Sequence, residues 1–374
     1  MDAIVIGAGP AGLAVGACLQ RAGVPFLILE QADGVGATWH GHYDRLHLHT
    51  PKSLSALPYL PFPKSYPRYP SRAQMIAYLE EYADHFGLQP RFGQHVLSAR
   101  PAAGGWEVQT QETTFHAPNL VIATGNARVP YSPQWPGQAD FRGTCLHSSA
   151  YRDGEPFRQR RVLVVGFGNS GGEIALDLCE HGAQTSMAVR SPVNVVPREV
   201  LGVPNVAITI AQTGLPPRVA DALNAPILRL RFGDLTRYGL RRPPRGPLAQ
   251  IDNDRRIPLI DIGTIQLIKR GQIQVYPGIE RFVPDGVVFT DGRRQPFDAV
   301  VLATGYRPHV DAFLEGAAGA LDDGERAVMP AFGAYAGGLS IRDRAFTKIF
   351  GAPDFTAHVL GDNRLHAIVA SRCY

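Results

Sequence analysis

The chain has 374 residues, 45% hydrophobic and 19% charged, a balance that suits a globular protein with two sizeable cores and excludes a disordered or fibrous one. A net charge of +4 without a long basic block gives no sign of a nucleic-acid partner, and the locally basic stretch RLRFGDLTRYGLRRPPR (residues 229–245) carries aromatics and prolines that fit a packed surface loop. Cys18, Cys145, Cys179 and Cys373 form no CxxC pair, which speaks against a disulfide framework, a zinc or other metal site, and a dithiol relay of the thioredoxin-reductase kind.

The chain enters its first strand almost at once and has no apolar run of membrane-spanning length, so a cytoplasmic protein without a membrane span is expected. Residues 3–19 read AIVIGAGPAGLAVGACL: an apolar run that suits a buried parallel strand, a GxGxxG turn with Gly7, Gly9 and Gly12, then a helix-compatible stretch. In such a turn the first glycine permits the tight bend and the second lets backbone approach a pyrophosphate. The third lets the helix pack on the strand, with its N-terminus facing the phosphates. VPFLILEQ follows and places Glu30 18 residues after Gly12 (30 − 12 = 18), where a carboxylate meets the hydroxyls of an unphosphorylated ribose, as in FAD or NAD.

Residues 36–71, dense in proline and aromatics, are expected to pack as irregular structure over a cofactor, with Trp39 as a wall near it. RAQMIAYLEEYADHFG (residues 72–87) has helical spacing, with Met75, Ile76, Leu79 and Tyr82 on one face and Gly87 near the stop. Residues 95–110 suggest a hairpin, and APNLVIATGNARVP (residues 117–130) a strand ending in ATG. The phrase of the first strand then recurs at residues 162–178 as VLVVGFGNSGGEIALDL, with Gly166, Gly168 and Gly171 in the glycine positions and Asn169 and Ser170 beside the phosphates or a domain cleft. TSMAVRSPV delivers Arg190 and Ser191, the first of them 19 residues after Gly171 (190 − 171 = 19); a guanidinium there suits a 2′-phosphate and hence NADPH. FDAVVLATGYRP (residues 297–308) repeats the strand that ends in ATG.

This duplicated pattern predicts an α/β fold of two Rossmann-like dinucleotide-binding domains, the NADPH domain inserted into the FAD domain. The expected boundaries are residues 1–155 and 300–374 for the discontinuous FAD domain and 156–299 for the NADPH domain.

Between the two glycine turns, FRGTCLHSSAYR (residues 141–152) has the spacing FxGxxxHxxxY, with Phe141, Gly143, His147 and Tyr151. It resembles the fingerprint of the flavin-containing monooxygenases, in which the motif joins the two domains and helps to order them around NADPH. YDRLHLHTPKSLSALPYLPFPKSYPRYPS, VRSPVNVVPRE, YGLRRPPRGPL and RIPLIDIGTIQLIKRGQIQVYPGI look like the plant-type YUCCA flavin monooxygenases of auxin synthesis and their bacterial relatives, over residues 1 to about 310.

The resemblance implies an oxidoreductase that uses FAD, NADPH and O2. It implies a flavin C4a-(hydro)peroxide and oxidative decarboxylation of a small organic substrate, a 2-oxo acid such as indole-3-pyruvate. N- or S-oxygenation is the alternative chemistry; electron transfer to a partner, or dinucleotide binding with impaired flavin chemistry, are alternative functions. Oligomeric state is not readable from the sequence. By the same match His49 takes the place of an asparagine beside the flavin in the amine-oxidising branch. His49 is then expected to hydrogen-bond the flavin adduct or the nicotinamide ribose, and Lys52 to attract a substrate carboxylate. Residues 330–374 depart from the family's glycine-rich strand and flavin-facing helix, with only Ala334 to Gly338 resembling the strand, and poor FAD occupancy in a folded protein is the expected consequence.

Overall fold

Short apolar runs in the sequence become the centres of two parallel sheets, each in its own compact unit. The structure, a computed structural model, describes residues 1–254, 256–315 and 367–369. The first unit comprises residues 1–41, 51–129 and 306–374, and the second residues 42–50 and 130–305.

In the first unit the strand Ala3–Ile6 lies between Phe26–Leu29 and Asn119–Ile122, with Ala367–Val369 beyond the latter, all parallel. AIVI and NLVI are apolar almost throughout because a parallel strand in the middle of such a sheet is covered on both faces, and Ile4 and Val5 are fully buried. A three-stranded antiparallel sheet, Val96–Ala102, Gly105–Thr110 and Thr114–Ala117, extends the expected hairpin by one strand and buries Trp106 and Val108.

The helix Arg72–His85 begins at a capping box, in which the Ser71 hydroxyl accepts from the Gln74 amide and the Gln74 side chain accepts from the Ser71 amide. Met75, Leu79 and Tyr82 are buried as expected, but Tyr78 takes the place foreseen for Ile76. The reason lies in the proline-rich loop, which packs on this helix. The Phe62 ring stacks on Tyr78 at 3.9 Å, the Tyr78 hydroxyl donates to the Leu60 carbonyl and accepts from the Leu57 amide, and the Tyr82 hydroxyl donates to the Pro58 carbonyl.

The second unit is built on a five-stranded parallel sheet in the order Ile273–Tyr276, Gln184–Ala188, Arg161–Val165, Ala299–Leu302, Thr144–His147. The helix Asn169–Glu180 packs on it, and an antiparallel sheet of Ile279–Val283, Gly286–Phe289 and Arg294–Pro296 adds a second core around Phe282 and Phe289. The compact units exchange at 129/130 and 305/306, beside the domain boundaries expected at 155/156 and 299/300. Thr144–His147 and Ala299–Leu302 are neighbours in one sheet, so the linker fingerprint and the second ATG strand are integral to this unit. Residues 42–50 belong to it as well, although the chain on either side belongs to the first.

The segment 330–374 compared with the family's strand and helix lies outside the described residues, apart from Ala367–Val369. Among the described residues no helix is long and apolar enough to cross a membrane, and no group of three or more His, Cys, Asp or Glu side chains is placed to hold a metal ion.

Candidate functional site

The two glycine turns are near copies at atomic detail. Gly7 has φ +108° and a Cβ there would stand 2.5 Å from the Ala123 carbonyl oxygen; Gly166 has φ +116° and would meet the Ala303 oxygen at 2.4 Å. Both carbonyls belong to the ATG segments, so each turn is pressed against the strand end that the sequence pattern paired with it. Added Cβ atoms at Gly12 and Gly171 would strike the carbonyl oxygens of Gly7 and Gly166, at 1.8 and 2.6 Å. These are the positions where helix and strand approach most closely.

The middle glycines differ from these in the same way in both turns. Gly9 and Gly168 have no atom within 4 Å of an added Cβ, and each is the N-cap of its helix, Pro10–Arg21 or Asn169–Glu180, with no side chain capping it. Each helix therefore presents its first amides and positive dipole end beside open space, which fits a dinucleotide pyrophosphate.

The two strand ends carry opposite charges. The buried Glu30 accepts from the Ala8 amide at 2.7 Å and the Ala32 amide at 2.9 Å, which ties it to the glycine turn while each oxygen keeps acceptor capacity for ribose hydroxyls. At the corresponding end of Gln184–Ala188, Arg190 is exposed, Ser191 is half-buried, and the Arg241 guanidinium donates to the Arg190 carbonyl. The Val193 amide donates to the Arg241 carbonyl at 2.9 Å, so a second cation is fixed beside Arg190. The sequence reading missed Arg241, which reaches this place from 51 residues farther along the chain. Asn169 spends its side-chain oxygen on the Ile260 amide at 2.8 Å, so its first task is to join the helix start to the strand Leu259–Asp261; Ser170 is half-buried beside it.

His49 lies 93% buried in the second unit, with Nε2 2.7 Å from Oε1 of Glu173, itself only 2% exposed. Glu173 starts a row of acids on one face of the helix Asn169–Glu180. Asp177 accepts from the Tyr151 hydroxyl at 2.7 Å, and Glu180 pairs with Arg45. The spacing of four and then three residues sets the three carboxylates along one side of the helix. Residues 42–50 are held there further by the Asp44 amide on the Arg152 carbonyl, at 2.9 Å, and by Arg152 Nη1 on the His42 carbonyl, at 3.1 Å. None of these acids was singled out from the sequence; the available signal was two carboxylates within a run, Gly171 to Leu178, that the fold buries throughout.

Lys52 has a different occupation from the one expected. In the first unit its Nζ donates to the carbonyls of Pro63 (3.1 Å), Lys64 (2.8 Å) and Tyr66 (2.5 Å). An ammonium has three N–H donors, so a substrate carboxylate would have to displace one of these carbonyls. Lys52 closes the proline-rich loop. Trp39 is buried in the first unit on the short helix Ala37–Gly41, which Arg72 pins through a 2.9 Å bond to the His40 carbonyl.

The FxGxxxHxxxY residues each have a packing reason within the second unit. Phe141 meets Phe282 edge to face, and a Cβ on Gly143 would strike the Asp298 carbonyl oxygen at 2.6 Å. His147 lies 3.0 Å from the Gly305 carbonyl through Nε2 and accepts from the Ser149 amide through Nδ1 at 3.1 Å, which makes it a neutral Nε2–H imidazole tethering the end of the ATG strand. Burial lowers its pKa, opposed by the Gly305 bond. Tyr151 is fully buried on Phe157, and burial followed by the bond to Asp177 pushes its phenol far above the ordinary range. The fingerprint is thus a set of struts, and His147 is one of them.

Residues 4–199 match the family model described as pyridine nucleotide-disulphide oxidoreductase. The chain is 44% identical over 328 residues to "probable indole-3-pyruvate monooxygenase YUCCA1" of Arabidopsis thaliana, covering 86% of this chain and 79% of that protein. It is 44% identical over 320 residues to "indole-3-pyruvate monooxygenase YUCCA1" of Oryza sativa subsp. japonica, covering 84% and 79%. Among solved structures it is similar to a flavin-containing monooxygenase from Stenotrophomonas maltophilia, with a TM-score of 0.67 at 23% identity over 88% of this chain and 85% of that one. At that identity the likeness shows a shared fold.

Proposed function

Because the chain belongs to the YUCCA family of monooxygenases, we propose that it is an FAD- and NADPH-dependent enzyme that oxidatively decarboxylates a 2-oxo acid such as indole-3-pyruvate. In the balanced reaction the 2-oxo acid, O2, NADPH and one proton give the carboxylate one carbon shorter, CO2, water and NADP+. The bond between the two carbonyl carbons breaks, one oxygen atom enters the new carboxylate and the other leaves as water. The bound pair supplies hydride and activated oxygen, the latter as a flavin C4a-(hydro)peroxide.

The observation that carries this reading is two open glycine turns of one geometry, followed by strand ends of opposite charge. The turn at Gly7, Gly9 and Gly12 and the helix start behind it hold the FAD pyrophosphate, and Glu30 takes ribose hydroxyls. The turn at Gly166, Gly168 and Gly171 holds the NADPH pyrophosphate, with Ser170 at the helix start. Arg190, with Arg241 and Ser191, takes the 2′-phosphate. His49, the residue proposed to hydrogen-bond the flavin adduct or the nicotinamide ribose, lies buried beside Glu173 with both ring nitrogens closed to solvent.

The experiment is NADPH-driven turnover of purified protein with indole-3-pyruvate, a tertiary amine and a thioether in parallel. Indole-3-acetate with matched CO2 release is expected from the first. N-oxide or sulfoxide as the dominant product would replace decarboxylation by heteroatom oxygenation.

A further inference from the structure

We propose that one face of the second unit, made by the hairpin tip at Leu201 and the outer side of the helix Pro217–Phe232, docks on an anionic lipid bilayer, where the protein lies without crossing it. The helix has two apolar sides. Ala220 and Phe232 are buried and Leu228 packs on the core of the unit, while Val219, Leu223, Ile227 and Leu230, spaced by four, four and three residues, form a stripe turned to solvent. Leu223 is 58% and Leu230 91% exposed, so the stripe adds little to the core. Single exposed apolar residues are ordinary, but four in register on one helix make a continuous surface of the kind that meets another apolar body.

The neighbouring hairpin carries a residue that neither packing nor turn chemistry explains. Val200 pairs with Val203, which leaves Leu201 and Gly202 as a two-residue turn with φ of +51° and +80°. Such a turn favours Asn-Gly, because a leucine side chain is strained on left-handed backbone. Leu201 nevertheless stands there fully exposed, with the half-exposed Val203 beside it. The hairpin adjoins the helix, since Val200 and Ile227 line one small cavity.

Charge selects the occupant. Arg218 and Arg229 run along one edge of the stripe and Arg231 stands on the other, all three exposed. Among the described residues neither Arg218 nor Arg229 has an ion-pair partner. The one acid of the helix, Asp221, accepts from the Leu248 and Ala249 amides, both at 2.9 Å, and so serves the fold. An apolar stripe edged by arginines and, within its helix, by no free carboxylate matches acyl chains beneath anionic headgroups. A second copy fits worse, because a two-fold pair through this stripe brings the same arginines of both copies together.

The test is flotation of the purified full chain with vesicles of phosphatidylcholine alone and of equal parts phosphatidylcholine and phosphatidylglycerol, at low and high salt. Binding to the anionic vesicles is expected, weaker on phosphatidylcholine alone and weakened by salt. Arg218→Gln and Arg229→Gln should each reduce it about fivefold, the factor that corresponds to about 1 kcal/mol per arginine near such a surface. Leu201→Asn suits the turn better, so it should melt no lower than wild type and yet bind less. Leu230→Ser should also bind less while melting like wild type.

Absence of wild-type binding to the anionic vesicles, equal binding to both compositions, or full binding by Leu201→Asn and Leu230→Ser overturns the proposal. So does a solution dimer that does not float with vesicles and that Leu230→Ser separates, which would give the face to a second copy.

Discussion

Arg190 and Glu30 were legible because each ends the second strand of a unit at a fixed distance from a glycine turn. Arg241 was not, because only folding brings it to the Arg190 carbonyl. Replacing Arg190 by alanine should raise the KM for NADPH by about tenfold, the low end for a charge-assisted contact with an exposed guanidinium, and leave the KM for NADH nearly unchanged. An equal rise for both nucleotides would remove the 2′-phosphate from its role. Glu173 was hidden for another reason: an acid on an amphipathic helix reads as part of its wet face, and here that face is covered. His49→Ala should increase the fraction of NADPH turnover that ends as H2O2; unchanged coupling would leave His49 without a chemical part. For His147 the sign of the pH effect is fixed by its lowered pKa. The unfolded chain takes up a proton as pH falls through about 6.5, before the folded protein does, so stability is lost on acidification below that value. Asp298, held at about 2 by Arg161, makes its stabilising contribution throughout that range and loses it only at far lower pH. The melting temperature should therefore fall between pH 7.5 and 5.5, with a shallower slope in His147→Gln, as read by calorimetry.

Among the elements, the glycine turns separate folding from binding. Gly166→Ala forces a side chain into φ +116° and against the Ala303 oxygen, and should cost about 1–3 kcal/mol or more of stability. Gly168→Ala adds a methyl to open space at the helix N-cap, so its melting temperature should fall far less than that of Gly166→Ala while NADPH affinity falls. Thermal melting and nucleotide titration of the two variants check the division, and the reverse pattern would refute it. Lys52→Met should likewise lower the melting temperature by freeing the loop at residues 63–66, without selectively raising the KM for a 2-oxo acid. The elements with strong periodicity were legible in sequence, including the helix Arg72–His85 and both parallel strands that precede the glycine turns. Thr114–Ala117 was not, being four residues long and recognisable only by its pairing with Gly105–Thr110. Tyr78 displaced Ile76 from the expected face because its partner, Phe62, comes from a loop that has no period of its own.

For the whole molecule, the duplicated strand, glycine turn, helix and ATG strand disclosed two α/β units with one inserted in the sequence of the other, while the points where the compact units exchange, 129/130 and 305/306, were not legible. Sheet membership sets those points: Thr144–His147 enters the second sheet beside Ala299–Leu302, and residues 42–50 join the same unit through Tyr43, Arg45 and His49. Neither exchange leaves a composition change in the chain. Rapid-mixing absorbance tests whether the protein activates O2 with FAD and NADPH. FAD-loaded protein is reduced by NADPH without air, then mixed with oxygenated buffer. A lasting C4a-adduct spectrum before oxidised flavin returns is the expected result; direct return to oxidised flavin with matching release of H2O2 would contradict it.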